Sequence, residues 1–296
     1  MIPERNLYAD LGVDKQQCFN GGMTISQDSF RTGDLVDALG QVHAPAPDAR
    51  IVCLVPSITE LLCDLGLSGK LVGRTGFCIH PRDVVAAIPK VGGTKDVNIE
   101  KIRRLAPTHV IVNIDENEKP AVDLLAGFVP HIVVTHPNTP RDNLDLVRLM
   151  GGLFGATDAA VRWCAAFEAE LGALRAQGPG ETRTVLYCIW QDPWMTVSKE
   201  TYIASMLAEL GWRVPDLGGD RYPRFAWSQD LVDGLDAVLL STEPYRFTEA
   251  HADALEKQIG IPVLLVDGEM MSWYGSRALA GLRYLRGLAA RLDGMA

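Results

Sequence analysis

Residues 50–65 read RIVCLVPSITELLCDL, and this stretch contains both kinds of element that decide the fold. Apart from Arg50, the run Arg50–Val55 is continuously apolar, which is typical of a strand covered on both faces. Pro56 marks a turn, and apolar residues then recur at helical spacing over Ser57–Leu65. Ser57 is of the type that caps a helix N-terminus. The stretch therefore predicts a strand followed directly by a helix.

The same alternation of strand-like and helix-like segments continues along the chain. Further strands are predicted at His109–Asn113, His131–Thr135, Thr184–Trp190, Ala237–Ser241 and Pro262–Asp267. Further helices are predicted at Ile99–Leu105, Glu118–Ala126, Thr201–Gly211, Thr248–Gln258 and Ser276–Leu292. Such alternation is typical of parallel sheets built from βαβ units.

The middle of the chain has no strand pattern and no proline between Pro140 and Pro179. Helices are predicted there at about 141–154 and 158–177, the second roughly 30 Å long. We therefore predict the α/β class, with two Rossmann-like lobes that each have a central parallel sheet and are joined by a single long helix. The expected domains are a poorly ordered N-terminal extension at 1–33, lobes at 34–155 and 181–296, and the bridging helix at 156–180.

Composition excludes several classes of protein. Of the 296 residues 47% are hydrophobic, which excludes a disordered or fibrous chain. Asp plus Glu is 37 against 28 for Lys plus Arg, so the net charge is −9 and no nucleic-acid partner is expected. No run approaches the roughly 18 apolar residues of a membrane span, so no membrane insertion is expected. We expect a monomer.

The start of the chain and the cysteines bear on location. Residues 1–33 have no apolar run of secretory type, so we expect the protein in the cytoplasm, and in the periplasm only if the true start lies upstream. The six cysteines form no CxxC pair, and Cys53 and Cys164 lie in strand and helix patterns. Scattered thiols of this kind fit a reducing compartment.

Ligands of open parallel sheets bind beyond the carboxyl ends of the strands, and here these segments are rich in polar and aromatic residues. Four of the six tryptophans lie in them, which describes a cleft between the lobes for a flat or large ligand. The alternative is that these rings pack between strand ends and helices. The predicted ligand-binding residues are Ser57, Thr59, Cys78, His80, Trp190, Trp194, Trp227, Glu243, Tyr245, Trp273, Tyr274 and Arg277.

Several residues of this set have a simpler role open to them. Cys78 and His80 could coordinate cobalt, iron or zinc, or His80 could hydrogen-bond a loop carbonyl. Arg277 opens the last predicted helix and suits a carboxylate or phosphate, or it pairs with Asp267 or Glu269. The sequence has no GxSxG, P-loop or HExxH motif, so no catalytic residue is predicted.

Four stretches together resemble class III periplasmic binding proteins, which carry cobalamin, haem or ferric siderophores to ABC importers. They are DALGQVHAPAPDARIVCLVPSITELLCDLGL at 37–67, VGRTGFCIHP at 72–81, PKVGGTKDVNIEKIRRLAPTHVIV at 89–112 and DGEMMSWYGSRALAGLRYL at 267–285. The resemblance runs from Leu35 to the end of the chain, and it is greatest to the cobalamin-binding members. The family fold that it implies is two α/β lobes bridged by one long helix.

The resemblance implies a non-catalytic binding protein for a metal chelate, above all cobalamin or a related corrinoid, with haem or a ferric siderophore as alternatives. Metal-binding relatives of this fold place histidines and a carboxylate across the cleft, which implies His80, His136, Glu243 and Asp267 as a site for a bare zinc or iron ion. A third alternative is an enzyme that acts on a tetrapyrrole or inserts a metal into one.

The resemblance also bears on a protein partner. Exported cobalamin binders dock onto their importer through one acidic residue on each lobe. The corresponding positions in this chain are Pro89 and Asp230, so only the second acid is kept. This departure argues against importer docking.

Overall fold

The computed structural model describes residues 35–178 and 180–294, in which strands and helices alternate. The predicted extension at 1–33 lies outside the described residues. Contacts divide the chain into two units, each of which is treated by itself. Unit 1 comprises the described residues up to His136 together with Arg148–Val161, and unit 2 comprises Pro137–Val147 together with the residues from Arg162 onward.

Unit 1 contains a hairpin and a four-stranded parallel sheet. Its elements are β1 (Leu35–Val36), β2 (Val42–His43), β3 (Ile51–Cys53), α1 (Pro56–Asp64), β4 (Leu71–Arg74), α2 (Arg82–Val85), α3 (Ile99–Leu105), β5 (His109–Asn113), α4 (Lys119–Ala126) and β6 (His131–Thr135). The sheet has the order β4-β3-β5-β6, with Cys53 paired to Arg74 and to Ile111. The strand and helix that follow Arg50 are thus confirmed.

Two helices, α5 (Asp142–Phe154) and α6 (Thr157–Ala176), follow β6, and parts of both belong to each unit. They begin and end within one residue of the predicted helices. The domain boundaries predicted at residues 155 and 180 stay predictions. No helix among the described residues is both long and apolar enough to cross a membrane.

Unit 2 contains a second four-stranded sheet. Its elements are β7 (Val185–Trp190), β8 (Met195–Thr196), α7 (Tyr202–Ala208), α8 (Gln229–Asp233), β9 (Ala237–Ser241), α9 (Glu249–Ile259), β10 (Val263–Val266), α10 (Gly268–Ser272) and α11 (Ser276–Asp293). The order is β10-β9-β7-β8, in which only the short β8 is antiparallel. The predicted α/β class with parallel sheets is confirmed.

Each sheet packs against helices through a fully apolar core. In unit 1, Val52, Val110 and Val112 pack with Ile102 and Leu125. In unit 2 the corresponding cluster includes the fully buried Leu186, Val238 and Leu240. Burial of both faces explains why the strands read as continuous apolar runs.

Local chemistry sets where several helices begin. The side chains of Asn98, Thr201, Ser228 and Asp267 each accept a hydrogen bond from a backbone N–H in the first turn of the helix that follows. Such caps satisfy amides that have no intrahelical partner. Helix α1 differs, since Val55 stands at its N-cap and Pro56 is its first residue.

Candidate functional site

The four strands of the unit 1 sheet are parallel, so their carboxyl ends lie along one edge. The loops at this edge are Leu54–Val55, residues 75–81, residues 114–118 and residues 136–141. The predicted residues Ser57, Thr59, Cys78, His80 and His136 all lie in or directly after these loops. The sheet topology therefore brings all the unit 1 members of the predicted set to one edge.

The loop after β4 presents two large apolar side chains to solvent. Phe77 is 63% exposed and Ile79 is 51% exposed, whereas Cys78 between them is fully buried. The alternation turns Phe77 and Ile79 to the surface while Cys78 anchors the loop. His80 follows, half-buried, and its bond to Pro81 is cis.

Cys78 is an anchor within the protein. Its Sγ lies 3.1 Å from Thr59 Oγ1 and 3.1 Å from Thr75 Oγ1. Burial raises the pKa of the Cys78 thiol, so the thiolate that a metal ligand requires is disfavoured. The Thr59 hydroxyl also lies 3.0 Å from Val55 O, in the first turn of α1. Ligand contact by Cys78 and Thr59 stays a prediction, and both side chains hold α1 and the β4 loop together.

Two buried asparagines organise the edge of unit 1. Asn117 Oδ1 accepts a hydrogen bond from Asn113 N at 2.8 Å, and its Nδ2 donates to Thr94 O at 2.9 Å and to Leu54 O at 3.4 Å. Asn113 Oδ1 accepts from Asp115 N, and Thr135 Oγ1 donates to Val112 O. These bonds connect the loops after β3 and β5 with the segment before α3 and with the end of β6, so the edge is held by a polar network.

His136 lies at the same edge, directly after β6. Its Nε2 is 3.5 Å from Asp115 Oδ2, and both side chains are about a fifth to a quarter exposed. The pair joins the ends of β5 and β6.

The carboxyl edge of unit 2 is aromatic. Trp194 lies at the centre of a cluster, stacked on Phe247 at 5.8 Å between ring centroids and edge-on to Trp227 at 5.4 Å. Phe225 contacts both tryptophans. Phe247 is 1% exposed, and Trp194 and Trp227 are half-buried. Trp194 therefore has the packing role that was considered as the alternative, since its ring contacts three other rings. Ligand contact by Trp194 stays a prediction.

Trp190 is the exposed member of this edge. It ends β7 and is 40% exposed. Its ring lies edge-on to Tyr245 at 5.5 Å, and Tyr245 in turn contacts Phe247 at 4.6 Å. Trp190 thus presents an exposed ring beside the packed rings of Tyr245 and Phe247.

Trp273 lies in a polar cluster. Its Nε1 donates to Glu243 Oε1 at 2.7 Å, and the Arg277 guanidinium carbon lies 4.9 Å from the centre of its ring. Arg277 NH1 is also 2.5 Å from Glu269 Oε2. The structural role considered for Arg277, an ion pair with Glu269, is therefore present, and a bound anion at Arg277 stays a prediction.

Glu243 is tightly surrounded. Burial raises the pKa of its carboxyl group, and hydrogen bonds from Trp273 and Ser272 oppose the shift. A Cβ atom at Gly268 would lie 2.5 Å from Glu243 Cγ, so glycine is required for this approach. Glu243 also lines an open cavity of about 490 Å³ in unit 2. The other lining residues are Thr242, Glu249, Leu265, Val266, Asp267, Glu269, Tyr284 and Arg291.

Asn143 in α5 fixes the segment between α10 and α11. Its Oδ1 accepts from Gly275 N at 2.6 Å, and its Nδ2 donates to Tyr202 OH at 3.0 Å. Gly275 has a φ of 76°, which favours glycine. Tyr274 is 7% exposed and lies edge-on to Tyr202. Ligand contact by Tyr274 stays a prediction.

Each unit contributes two residues of the predicted metal set, His80 and His136 in unit 1 and Glu243 and Asp267 in unit 2. Asp267 is occupied as the N-cap of α10, accepting from Met270 N. Among residues 35–178 and 180–294, no group of three or more His, Cys, Asp or Glu side chains is arranged to hold a metal ion. The four-residue metal site stays a prediction.

Sequence reasoning missed Phe77, Ile79, Asn113 and Asn117. The signal for the first two was available: in FCIH, large apolar residues flank a cysteine in a polar, glycine-containing loop. The asparagines gave no such signal, because NIDENE reads as a solvated helix start until the loops that it contacts are known.

Comparison with known proteins identifies a family and similar structures. A family model described as periplasmic binding protein matches residues 51–220. The uncharacterized ABC transporter substrate-binding lipoprotein YvrC of Bacillus subtilis (strain 168) is 25% identical over 167 residues, which are 53% of this chain and 52% of that protein. The chain therefore spans about half the length of this curated relative.

Solved structures show the same fold. The periplasmic vitamin B12 binding protein BtuF of Vibrio cholerae superposes with a TM-score of 0.72 at 19% identity, covering 84% of this chain and 99% of that one. The periplasmic heme-binding protein RhuT from Roseiflexus sp. RS-1 gives 0.67 at 22% identity, covering 80% and 96%. At these identities the likeness concerns the fold.

Proposed function

The chain belongs to the family of periplasmic binding proteins, and we propose from this premise that it is a substrate-binding protein for a metal chelate. A corrinoid such as cobalamin is the first candidate substrate. The protein binds the chelate and releases it unchanged, as a carrier, buffer or sensor.

The observation that carries the proposal is the exposure of large apolar side chains at the carboxyl edges of the sheets. Phe77, Ile79 and Trp190 are 63%, 51% and 40% exposed. Burying such side chains is favourable by about 1.5–3 kcal/mol each, so leaving them in water at a binding edge is unfavourable unless a ligand covers them. A large ligand with apolar faces, such as a corrin or porphyrin ring, suits them.

The surroundings of these exposed residues favour binding a ligand over changing it chemically. Trp190 rests on Tyr245 and Phe247, and the β4 loop is anchored by Cys78. Rigid aromatic contacts lose little side-chain entropy when a ligand binds.

Haem is the second candidate. His80 is an imidazole beside Phe77 and Ile79 on the exposed loop, where it can contact a metal at the centre of a macrocycle. Haem-binding proteins are also among the structures with this fold. A ferric siderophore, a bare-ion receptor and a tetrapyrrole enzyme have no side-chain contact among the described residues in their favour.

The importer and the location are further predictions. Asp230 is exposed on α8, and the exposed Pro89 takes the place of the second acid. We therefore propose that this chain does not dock onto an importer through a pair of acidic residues, one on each unit. The cytoplasmic location stays a prediction.

The test is a titration of the purified protein with aquocobalamin, and separately with haemin, followed by quenching of tryptophan fluorescence and by the visible spectrum. Phe77→Ala and Trp190→Ala should each weaken binding by about tenfold, with the melting temperature unchanged. Leu124→Ala is the matched control, because Leu124 is 61% exposed on α4, away from the carboxyl edge.

Each outcome of the titration decides between candidates. Saturable binding of aquocobalamin that depends on Phe77 and Trp190 supports the corrinoid. Binding of haemin alone, with a His80→Ala variant that alters the visible spectrum, makes haem the substrate. No saturable binding of either chelate overturns the proposal.

A further inference from the structure

The N-terminus of α1 has donors without acceptors. The helix spans nine residues, its N-cap Val55 offers no side-chain acceptor, and no acidic residue lies in its first turn. Among the described residues, no backbone carbonyl accepts a hydrogen bond from Ser57 N–H or Ile58 N–H. Both residues are buried, and buried amides of this kind are almost always paired.

The Ser57 side chain is a second, independent observation. Ser57 is 3% exposed, and its Oγ is buried with no hydrogen-bond partner among the described residues. It lies in the same first turn as the two unpaired amides. An unsatisfied buried hydroxyl costs free energy, so three donors without an acceptor indicate a missing group that accepts from all of them.

A buried positive charge lies on the adjacent strand. Arg74 ends β4 and is paired in register with Cys53, at the end of β3 that leads into α1. Arg74 is 4% exposed, and its guanidinium donates to Val85 O and Thr75 O. Within the described part of the chain it has no carboxylate partner. This buried charge thus lies on the strand next to the one that leads into α1, whose N-terminus is the positive end of the helix dipole.

From this arrangement we infer that the N-terminus of α1 receives an oxyanion of the substrate, a carboxylate or a phosphate. Ser57 Oγ and the amides of Ser57 and Ile58 donate to it, and Arg74 contributes long-range attraction. Helix N-termini with free amides are favourable anion sites. The inference rests on the proposed function and narrows it, because it requires a substrate with an anionic group in addition to its apolar faces.

The experiment pairs each chelate with an analogue that lacks the oxyanion. Haemin is compared with its dimethyl ester, which removes the carboxylates, and cobalamin with cobinamide, which lacks the nucleotide phosphate. For the chelate that binds, Ser57→Ala should weaken binding of the anionic form by about tenfold, the usual size for a hydrogen bond to a charged group. Binding of the analogue that lacks the oxyanion should change less than twofold. Ser68→Ala, a half-buried serine in the same unit, is the control.

The two pairs also identify the anion. If Ser57→Ala weakens binding of haemin alone, the oxyanion is a carboxylate. If it weakens binding of cobalamin alone, the oxyanion is a phosphate. Equal effects of Ser57→Ala on binding of a chelate and of its analogue without the oxyanion, or no effect on either, overturn the inference while the proposed function stands.

A direct probe separates the two proposals if neither chelate binds. Inorganic phosphate, added to the chelate-free protein at constant ionic strength, should raise the melting temperature of the unmodified protein and not that of Ser57→Ala. Without phosphate, Ser57→Ala should melt higher than the unmodified protein, because it removes an unsatisfied hydroxyl. Equal phosphate responses in the two proteins overturn the oxyanion site.

Discussion

The two units build the same edge in different ways. Both have a four-stranded sheet whose strands β3, β5 and β6, or β7, β9 and β10, run parallel and end in loops that carry candidate site residues. Unit 1 holds its loops with buried amides and hydroxyls, centred on Asn117. Unit 2 holds its loops with stacked rings, centred on Trp194. One backbone architecture thus supports a polar and an aromatic means of fixing loops, and we expect the two units to respond differently to mutation and to pH.

Loss of the polar centre should have the largest effect. Asn117→Leu removes three hydrogen bonds and leaves Asn113 N–H and Thr94 O without partners, each costing about 1–3 kcal/mol. We expect the free energy of unfolding to fall by about 3–5 kcal/mol, measured by urea denaturation. Hydrogen exchange should show the loss in unit 1. Asn98→Ala, which removes only the exposed cap of α3, should cost about 1 kcal/mol. Similar losses in both variants would contradict the network.

Loss of the aromatic centre should come next. Trp194→Ala removes packing against Phe225, Trp227 and Phe247 and should lower stability by about 2–4 kcal/mol, in unit 2. Trp190→Ala, at the exposed end of the cluster, should change it by less than about 0.5 kcal/mol. Thermal melts of both variants test this order. Equal destabilisation would mean that Trp190 is also a core residue.

Titration of unit 1 supplies a third effect. His109 is stacked on His131 at 4.6 Å, and its burial, with a smaller contribution from His131, lowers its pKa to about 4. The unfolded chain therefore binds the proton more readily, so His109 contributes stability above about pH 6.5 that is lost as pH falls toward 4. The loss should reach about 2–3 kcal/mol. His109→Phe should flatten the dependence of unfolding free energy on pH over this range.

The sequence predicted more of the fold than of the candidate site. Strands at His109–Asn113, His131–Thr135 and Ala237–Ser241 begin and end where predicted, because burial on both faces leaves a continuous apolar run. Strand β4 was missed because Gly73 and Arg74 interrupt its pattern. That glycine is required by packing: a Cβ atom there would lie 2.9 Å from Leu105 Cδ1, a contact that sequence does not reveal.

The site was predictable in its location but not in its contacts. Residues such as Trp190 and Glu243 could be placed at strand ends, since loop position follows from strand position. Whether Trp194 packs on Phe247, or Asn117 reaches Thr94, depends on loops that meet only in the fold. The sequence alone does not distinguish a buried asparagine from an exposed one, because burial is decided by tertiary contacts.

The smallest expected effect is the pH response of unit 2, which has the opposite sign to that of unit 1. Burial raises the pKa of Glu243 above its ordinary value of 4.5. The folded protein therefore binds this proton more tightly, so Glu243 contributes stability below pH 4.5 that is lost as pH rises through its folded pKa. Glu243→Gln keeps an oxygen to accept from Trp273 Nε1 and removes the charge. The variant should be more stable than the unmodified protein at neutral pH, and its stability should no longer fall across this range. Hydrogen exchange, corrected for the intrinsic rate at each pH, should show acidification protecting unit 2 while it weakens unit 1. Loss of protection in both units on acidification would mean that the carboxyl group of Glu243 is ionised throughout, and that the two edges differ in packing alone.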